Sequence, residues 1–143
     1  MIAQPVLAYQ QNQGEGYTLA SWFCCTAGHS APIPASPGDR VSGTITFSNG
    51  VWKITTFNID QNNSTTLLVK TKEVLNQYYV TLETYNIARC TDYPVGNTTF
   101  WNLKARNANG PVNFQWSIQQ QDGTCGERAT ELSQQEIVIK YRT

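Results

Sequence analysis

"RVSGTITFSNGVWKITTFNID", residues 40–60, decides how the rest of the chain is read. Two runs rich in Val, Ile, Thr, Phe and Trp flank Asn49-Gly50, a dipeptide that tolerates the positive φ of a tight hairpin turn. The alternation on either side of that turn predicts two antiparallel strands, 41–48 and 51–59. Working outwards, "YTLASWFCCT" (17–26) reads as a strand, and the proline-rich "SAPIPASPGD" that follows excludes helix and central strand alike. Further strands are expected in "STTLLVKTK" (64–72), "QYYVTLETYNI" (77–87), "TFWNLKARNANG" (99–110), "NFQWSIQQQ" (113–121) and "EIVIKYRT" (136–143). "TKEVLNQ" and "GERATELSQQ" each have room for a helical turn, but neither sustains a helical period. Short strands between turn clusters predict an all-β fold, an antiparallel sandwich or barrel.

The chain has 143 residues, which suits one domain, 1–143, with no internal repeat and no linker. Ten basic and ten acidic residues cancel, so no net field draws the protein to nucleic acid or anionic lipid. The longest apolar runs fall short of the roughly 20 residues of a membrane span. "MIAQPVLAYQQ" has neither the basic start nor the apolar length of a signal peptide, so the chain is either a mature form or one without such a leader. Sequons stand at Asn62, Asn63 and Asn97.

Cys24, Cys25, Cys90 and Cys125 form an even set that can pair in an oxidising compartment. Neighbours in a strand point to opposite faces, and a bond between Cys24 and Cys25 needs a strained ring. Two cross-pairings with Cys90 and Cys125, or free thiols, are therefore expected. There is no CxxC, and the single histidine, His29, sits in a loop-like stretch, so no metal and no cofactor is expected.

Chemistry concentrates in "YYVTLETYN" (78–86). Val80 and Leu82 fall on one face; Tyr79, Thr81, Glu83 and Tyr85 fall on the other. Glu83 is the one acid inside a strongly patterned strand, whereas Asp39, Asp60, Asp92, Asp122 and Glu127 lie in turn-like contexts. An aromatic, hydroxyl and carboxylate surface suits the apolar face and hydroxyl rim of a sugar; the plain alternative is a solvated sheet face. Trp22 is either a further stacking platform or core, and Trp52 and Trp116 read as core. No GxSxG, Cys-His spacing, GxGxxG or P-loop is present.

The layout of "SWFCCTAGHSAPIPASPGDRVSGTITFSNGVWKITTFNID", followed by "YVTLETYN", "FWNLKARNANG" and "IVIKY", resembles the glutamic peptidases (eqolisins) over residues 17–143. The resemblance implies a concanavalin-like jelly roll of two antiparallel sheets, with a concave face crossing the strands of Trp22 and Glu83. That family works through a glutamate and a glutamine. Its glutamate position falls on Tyr79, and its glutamine falls near Ala8, Gln10 or Gln11. The same jelly roll resembles the slime-mould haemagglutinin lectins. The expectation is a secreted or cell-surface, haemagglutinin-type lectin without enzymatic activity. It binds glycans or glycoproteins through Trp22, Tyr79, Thr81 and Glu83; an oligomer is allowed. The first alternative is an acid endopeptidase using Glu83 and a glutamine; the second is a protein-binding jelly roll.

Overall fold

A computed structural model describes residues 1–9, 16–24, 27–85, 87–119 and 123–142. The chain divides into two compact units, Met1–Gln77 and Tyr78–Thr143. Strands are the main regular structure of both, every pairing is antiparallel, and a single 3-10 turn, Cys90–Asp92, is the helical content among the described residues. The all-β reading holds.

The first unit is a two-layer sandwich. One layer joins β1 (Ile2–Tyr9), β2 (Tyr17–Cys24), β3 (Gly28–His29) and β4 (Ile33–Ala35), with β2 pairing all three others. The second is the meander β5 (Val41–Ser48), β6 (Val51–Asn58) and β7 (Asn63–Lys70). Asn49 and Gly50 adopt φ of 52° and 74°, as the hairpin turn demands, and Ser48 pairs Val51 across it. The expected strands at 41–48 and 51–59 are therefore present in register.

Alternation along these strands sends one set of side chains between the layers. Phe23, Trp52, Ile54 and Val69 form the buried core, with Ala3, Leu67 and Leu75 packed against it. Trp52 donates its indole N–H to the Glu73 carbonyl at 2.9 Å, so its one polar atom is satisfied. Beside this core the layers are joined by hydroxyls. Ser21, fully buried, lies 2.9 Å from the Thr56 hydroxyl and 3.0 Å from the Thr65 carbonyl. Ser30 accepts the Ser21 backbone N–H at 2.9 Å and the Thr65 hydroxyl at 2.7 Å.

β1 was hidden in the sequence because Pro5 interrupts it. The reason it survives lies in the register. Pro5 stands opposite Ser21, whose backbone N–H and carbonyl both point the other way, to Ser30. No ladder bond is asked of position 5. The ring instead covers Gly43 on β5: a Cβ there would lie 2.5 Å from Pro5 Cγ.

Two carboxylates fasten the turns at the end of the meander. Asp39 accepts the Ser36 N–H at 2.8 Å and the amides of Asn58 and Gln61 at 2.7 Å each. Asp60 accepts the Arg40 backbone N–H at 2.5 Å and its guanidinium at 2.6 Å. The hydrogen bonds from Asn58 and Ser36 hold the Asp39 carboxyl below its usual range, and those from Arg40 do the same for Asp60.

The second unit contains the sheet β11 (Arg128–Ser133), β12 (Glu136–Lys140) and β8 (Asn97–Phe100), in that order. The hairpin β9 (Ala105–Asn107) and β10 (Gly110–Val112) is separate from it. Ile137 and Ile139 are buried on β12, and Tyr93 is buried too. The 128–133 segment is strand where a helical turn was allowed, because β12 offers it a ladder partner with one bulge between Glu131 and Ser133. Residues 71–77 hold no helical turn.

Three expectations need correction. Residues 78–85 form no strand, although the predicted alternation survives in burial over 79–83: Val80 and Leu82 are half-buried, while Tyr79, Thr81 and Glu83 are exposed, and beyond them Thr84 and Tyr85 are both exposed. Side-chain pattern sets the faces; a ladder with a neighbour makes a strand, and among the described residues these belong to no ladder. Residues 113–119 likewise form no strand. The third concerns the cysteines. Cys90 is bonded to Cys125, with their Cα atoms 5.2 Å apart, so the cross-pairings with Cys24 and Cys25 are excluded. The second unit closes its own loop. Cys24 is itself disulfide-bonded, and Cys25 lies outside the described residues.

Gly43→Ala should destabilise the protein by about 1–3 kcal/mol, the usual cost of overpacking. Pro5→Ala should recover much of the loss when the two are combined; a denaturant midpoint unchanged by Gly43→Ala would show that β1 yields freely. Acid should act through Asp39 and Asp60. Their lowered folded pKa values mean that their contribution is fully present above about pH 3.9, the unfolded value, and is lost as pH falls through the folded values. An Asp39→Asn/Asp60→Asn variant should therefore show a flatter fall in melting temperature between pH 5 and 2, and an unchanged slope would oppose this assignment.

Candidate functional site

Two groups of side chains stand out, one in each unit. In the first unit, β2 turns Phe23, Ser21 and Leu19 inward, so Trp22 and Thr18 face outward. Trp22 is half-buried and lies against the His29 ring, with centroids 4.4 Å apart and planes tilted by 33°. The contact follows from register, since Trp22 and His29 are direct partners across β2 and β3. His29, expected in a loop, is thus a strand residue with a fixed neighbour. Its Nδ1 lies 2.7 Å from the Ser30 carbonyl, which can only accept, so Nδ1 carries a proton and the neutral ring presents Nε2 as an acceptor.

On the other side of Trp22, the β1–β2 register places Gln4 directly opposite. Gln4 was missed, because the resemblance pointed to Ala8, Gln10 or Gln11 and β1 was not recognised as a strand. Ala8 lies on β1, while Gln10 and Gln11 lie outside the described residues. Period-two reading of "IAQPVLAY" through its proline would have put Gln4 on one face with Val6 and Ala8. The Trp22 indole N–H is buried without a hydrogen-bond partner among the described residues. Trp22 is therefore neither plain core nor an open platform.

In the second unit the expected residues are all exposed. Tyr79 is 70% exposed and Tyr85 77% exposed, and Thr81 and Glu83 are exposed between them. Tyr85 Oη donates to Glu83 Oε2 at 2.9 Å, a bond between residues two apart that an extended backbone brings side by side. The bond needs the phenol to keep its proton, and the adjacent negative charge opposes phenolate formation, so the Tyr85 pKa is raised above its ordinary 10.0. A phenolic donor on one carboxylate oxygen orients the group and leaves Oε1 for a second proton partner. Trp116, expected in the core, is half-buried and donates to the Gln134 carbonyl at 2.9 Å. The turn-like reading of Asp92 holds: its carboxylate accepts the N–H groups of Ala88 and Arg89.

No family model matches the chain, and no curated protein matches it. Among solved structures it is similar to the crystal structure of aspergilloglutamic peptidase from Aspergillus niger. The likeness has a TM-score of 0.63 and 19% sequence identity, over 94% of this chain and 85% of that one. It shows the fold, a glutamic-peptidase-like β-sandwich. The expectation of a chain without enzymatic activity is overturned by this finding, since the protein with which the fold is shared is a peptidase. The Cys90–Cys125 bridge fits an oxidising compartment, and no helix among the described residues is long and apolar enough to cross a membrane.

Removing the Glu83 carboxylate should bring the Tyr85 titration down towards its ordinary range. In a pH titration followed by the Tyr85 ring resonances, Glu83→Gln should lower the midpoint relative to the parent protein. An identical midpoint would mean that the 2.9 Å contact does not persist in solution.

Proposed function

We propose that the chain is an acid endopeptidase in which the Glu83 side chain supplies the reacting carboxyl group. One observation carries the reading: an exposed glutamate, oriented by a tyrosine hydroxyl at 2.9 Å, in a chain that shares its fold with a glutamic peptidase. Carboxyl groups exchange protons with water in the acidic range, and a positioned acid–base group contributes typically 10²–10⁴-fold to a hydrolysis.

The chemistry asked of Glu83 is simple. Ionised, it takes a proton from a water whose oxygen adds to the peptide carbonyl carbon. Protonated, it returns that proton to the departing amide nitrogen as the C–N bond breaks. Tyr85, uncharged throughout the acidic range, keeps donating to Oε2 and holds the other oxygen towards the reacting water. Tyr79 and Thr81 flank this group with an apolar ring and a hydroxyl, suited to an extended peptide with its alternating side chains.

Cleavage of a denatured protein substrate should appear near pH 3–4. Glu83→Gln should reduce it at least about 100-fold, the lower end expected for an acid–base group. Tyr85→Phe should leave activity reduced but not abolished, because the carboxyl group remains and only its orienting donor is lost. Absence of cleavage anywhere between pH 2 and 7, together with saturable binding on a glycan array, would return this face to sugar recognition.

A further inference from the structure

Cys24, Cys25, Cys90 and Cys125 are the cysteines of the chain, and the first unit holds the adjacent pair. Cys90 and Cys125 are bonded to each other, and Cys24 is itself disulfide-bonded. Within one chain that leaves Cys25, outside the described residues, as the cysteine able to partner Cys24. We infer that Cys24 and Cys25 form a bridge between sequence neighbours, and that this bridge is a redox-reversible site set in the turn that carries His29.

Bridges differ in how readily they are reduced. Neighbouring Cα atoms lie at most about 3.8 Å apart, shorter than the roughly 4.4–6.8 Å that disulfides favour. A bridge between neighbours also encloses the peptide bond that joins them. Its closure therefore works against a planar amide and against the opposed side-chain directions of an extended strand. A bridge under such constraint is the more easily reduced kind. Cys90 and Cys125 meet no such conflict: their Cα atoms are 5.2 Å apart, at a sequence separation of 35. The chain thus holds one ordinary structural bridge and one labile one.

The labile bridge has an effect because of where it sits. Cys24 ends β2, and Phe23 and Trp22 pair directly with Gly28 and His29. Residues 24–27 are therefore the whole connection between β2 and β3, and the Ala27 N–H donates back to the Phe23 carbonyl at 3.3 Å. β3 is only Gly28–His29, so this turn holds one end of it. Ser30 holds the other, its N–H donating to the Ser21 carbonyl at 2.9 Å. Cys24 is half-buried while Ala27, Gly28 and His29 are exposed, so a small reductant can reach the turn from solvent.

The chemistry is exchange with a dithiol. One thiolate of the dithiol attacks a sulfur of the bridge, the S–S bond breaks, and a mixed disulfide forms. The second thiol then displaces the protein sulfur, so the dithiol leaves as a disulfide and the protein keeps two electrons and two protons as two thiols. With the ring opened, the 24–27 turn relaxes and the Trp22–His29 contact at 4.4 Å changes, while Ser30 stays bonded to Ser21. The face that carries Gln4, Trp22 and His29 thereby answers to the redox state of its surroundings.

The test titrates the full, unaltered chain with dithiothreitol, traps thiols with iodoacetamide and maps them by mass spectrometry. Cys24 and Cys25 should be alkylated together, at a reductant concentration about tenfold or more below the one that opens Cys90–Cys125. The chain has one histidine, so a single ring Cε1–H resonance reports on it. That resonance should shift over the same range and return on reoxidation. Alkylation of Cys24 before any reductant is added, or a non-reduced peptide joining Cys24 to Cys90, Cys125 or a second chain, would overturn the assignment. Opening of Cys90–Cys125 first or at the same concentration would overturn the lability. A His29 resonance that stays in place while Cys24 and Cys25 become thiols would sever the bridge from the Trp22 face, as would a shift that persists in Cys24→Ser/Cys25→Ser. The mapping is read on the unaltered protein and does not depend on how the variant folds. Peptide cleavage is a separate readout, so failure here leaves the proposed activity to its own test.

Discussion

The first unit depends on a knot of hydroxyls rather than on its apolar cluster alone. Ser21 on β2, Ser30 beyond β3, Thr56 on β6 and Thr65 on β7 are all buried, and their hydrogen bonds run from one layer to the other. Each hydroxyl has one proton and two acceptor sites. Ser21 and Thr56 have carbonyls within reach, Thr65 and Ala20 respectively, and also each other. Only one of them at a time can spend its proton on the other, so the knot has alternative arrangements at one geometry. Apolar contacts tolerate a small slide between sheets. Buried hydroxyls do not, because each lost partner leaves a desolvated polar atom at about 1–3 kcal/mol. The knot therefore fixes how β2 lies across β6 and β7, and with it the outward direction of Trp22.

The same logic separates what could be read in the sequence from what could not. The β5–β6 hairpin was legible because Asn49-Gly50 states its turn locally and the flanking alternation states its faces. The burial alternation of residues 79–83 was legible for the same reason; their lack of strand structure was not, since pairing belongs to a neighbour and not to the segment. β1 was hidden by Pro5, whose harmlessness depends on which way Ser21 points its backbone. The Cys90–Cys125 bridge was misassigned because cysteine count constrains parity and compartment, while partnership is set by the fold.

The candidate site divides in the same way. Glu83 and its tyrosine neighbour lie two residues apart, and period-two spacing alone places them together. Gln4 and His29 reach Trp22 only through strand register, from positions on either side of it in the chain. A residue type that looks unremarkable in a linear reading, such as a lone histidine near prolines, acquires a defined tautomer and an aromatic partner once β3 pairs with β2. Local chemistry was visible; cross-strand chemistry was not.

The Cys90–Cys125 bridge has a consequence for a protein that meets peptidases. It closes a loop with a sequence separation of 35 residues, and that loop contains β8, β9 and β10. In the chain-entropy view a loop of this length is worth on the order of 4 kcal/mol. A backbone cut anywhere inside it releases no fragment: the two pieces stay covalently joined, and β8 remains paired with β12 on the far side of the bridge. Nicking in this region would convert a one-chain protein into a two-chain one of nearly unchanged mass and shape, separable only under reduction.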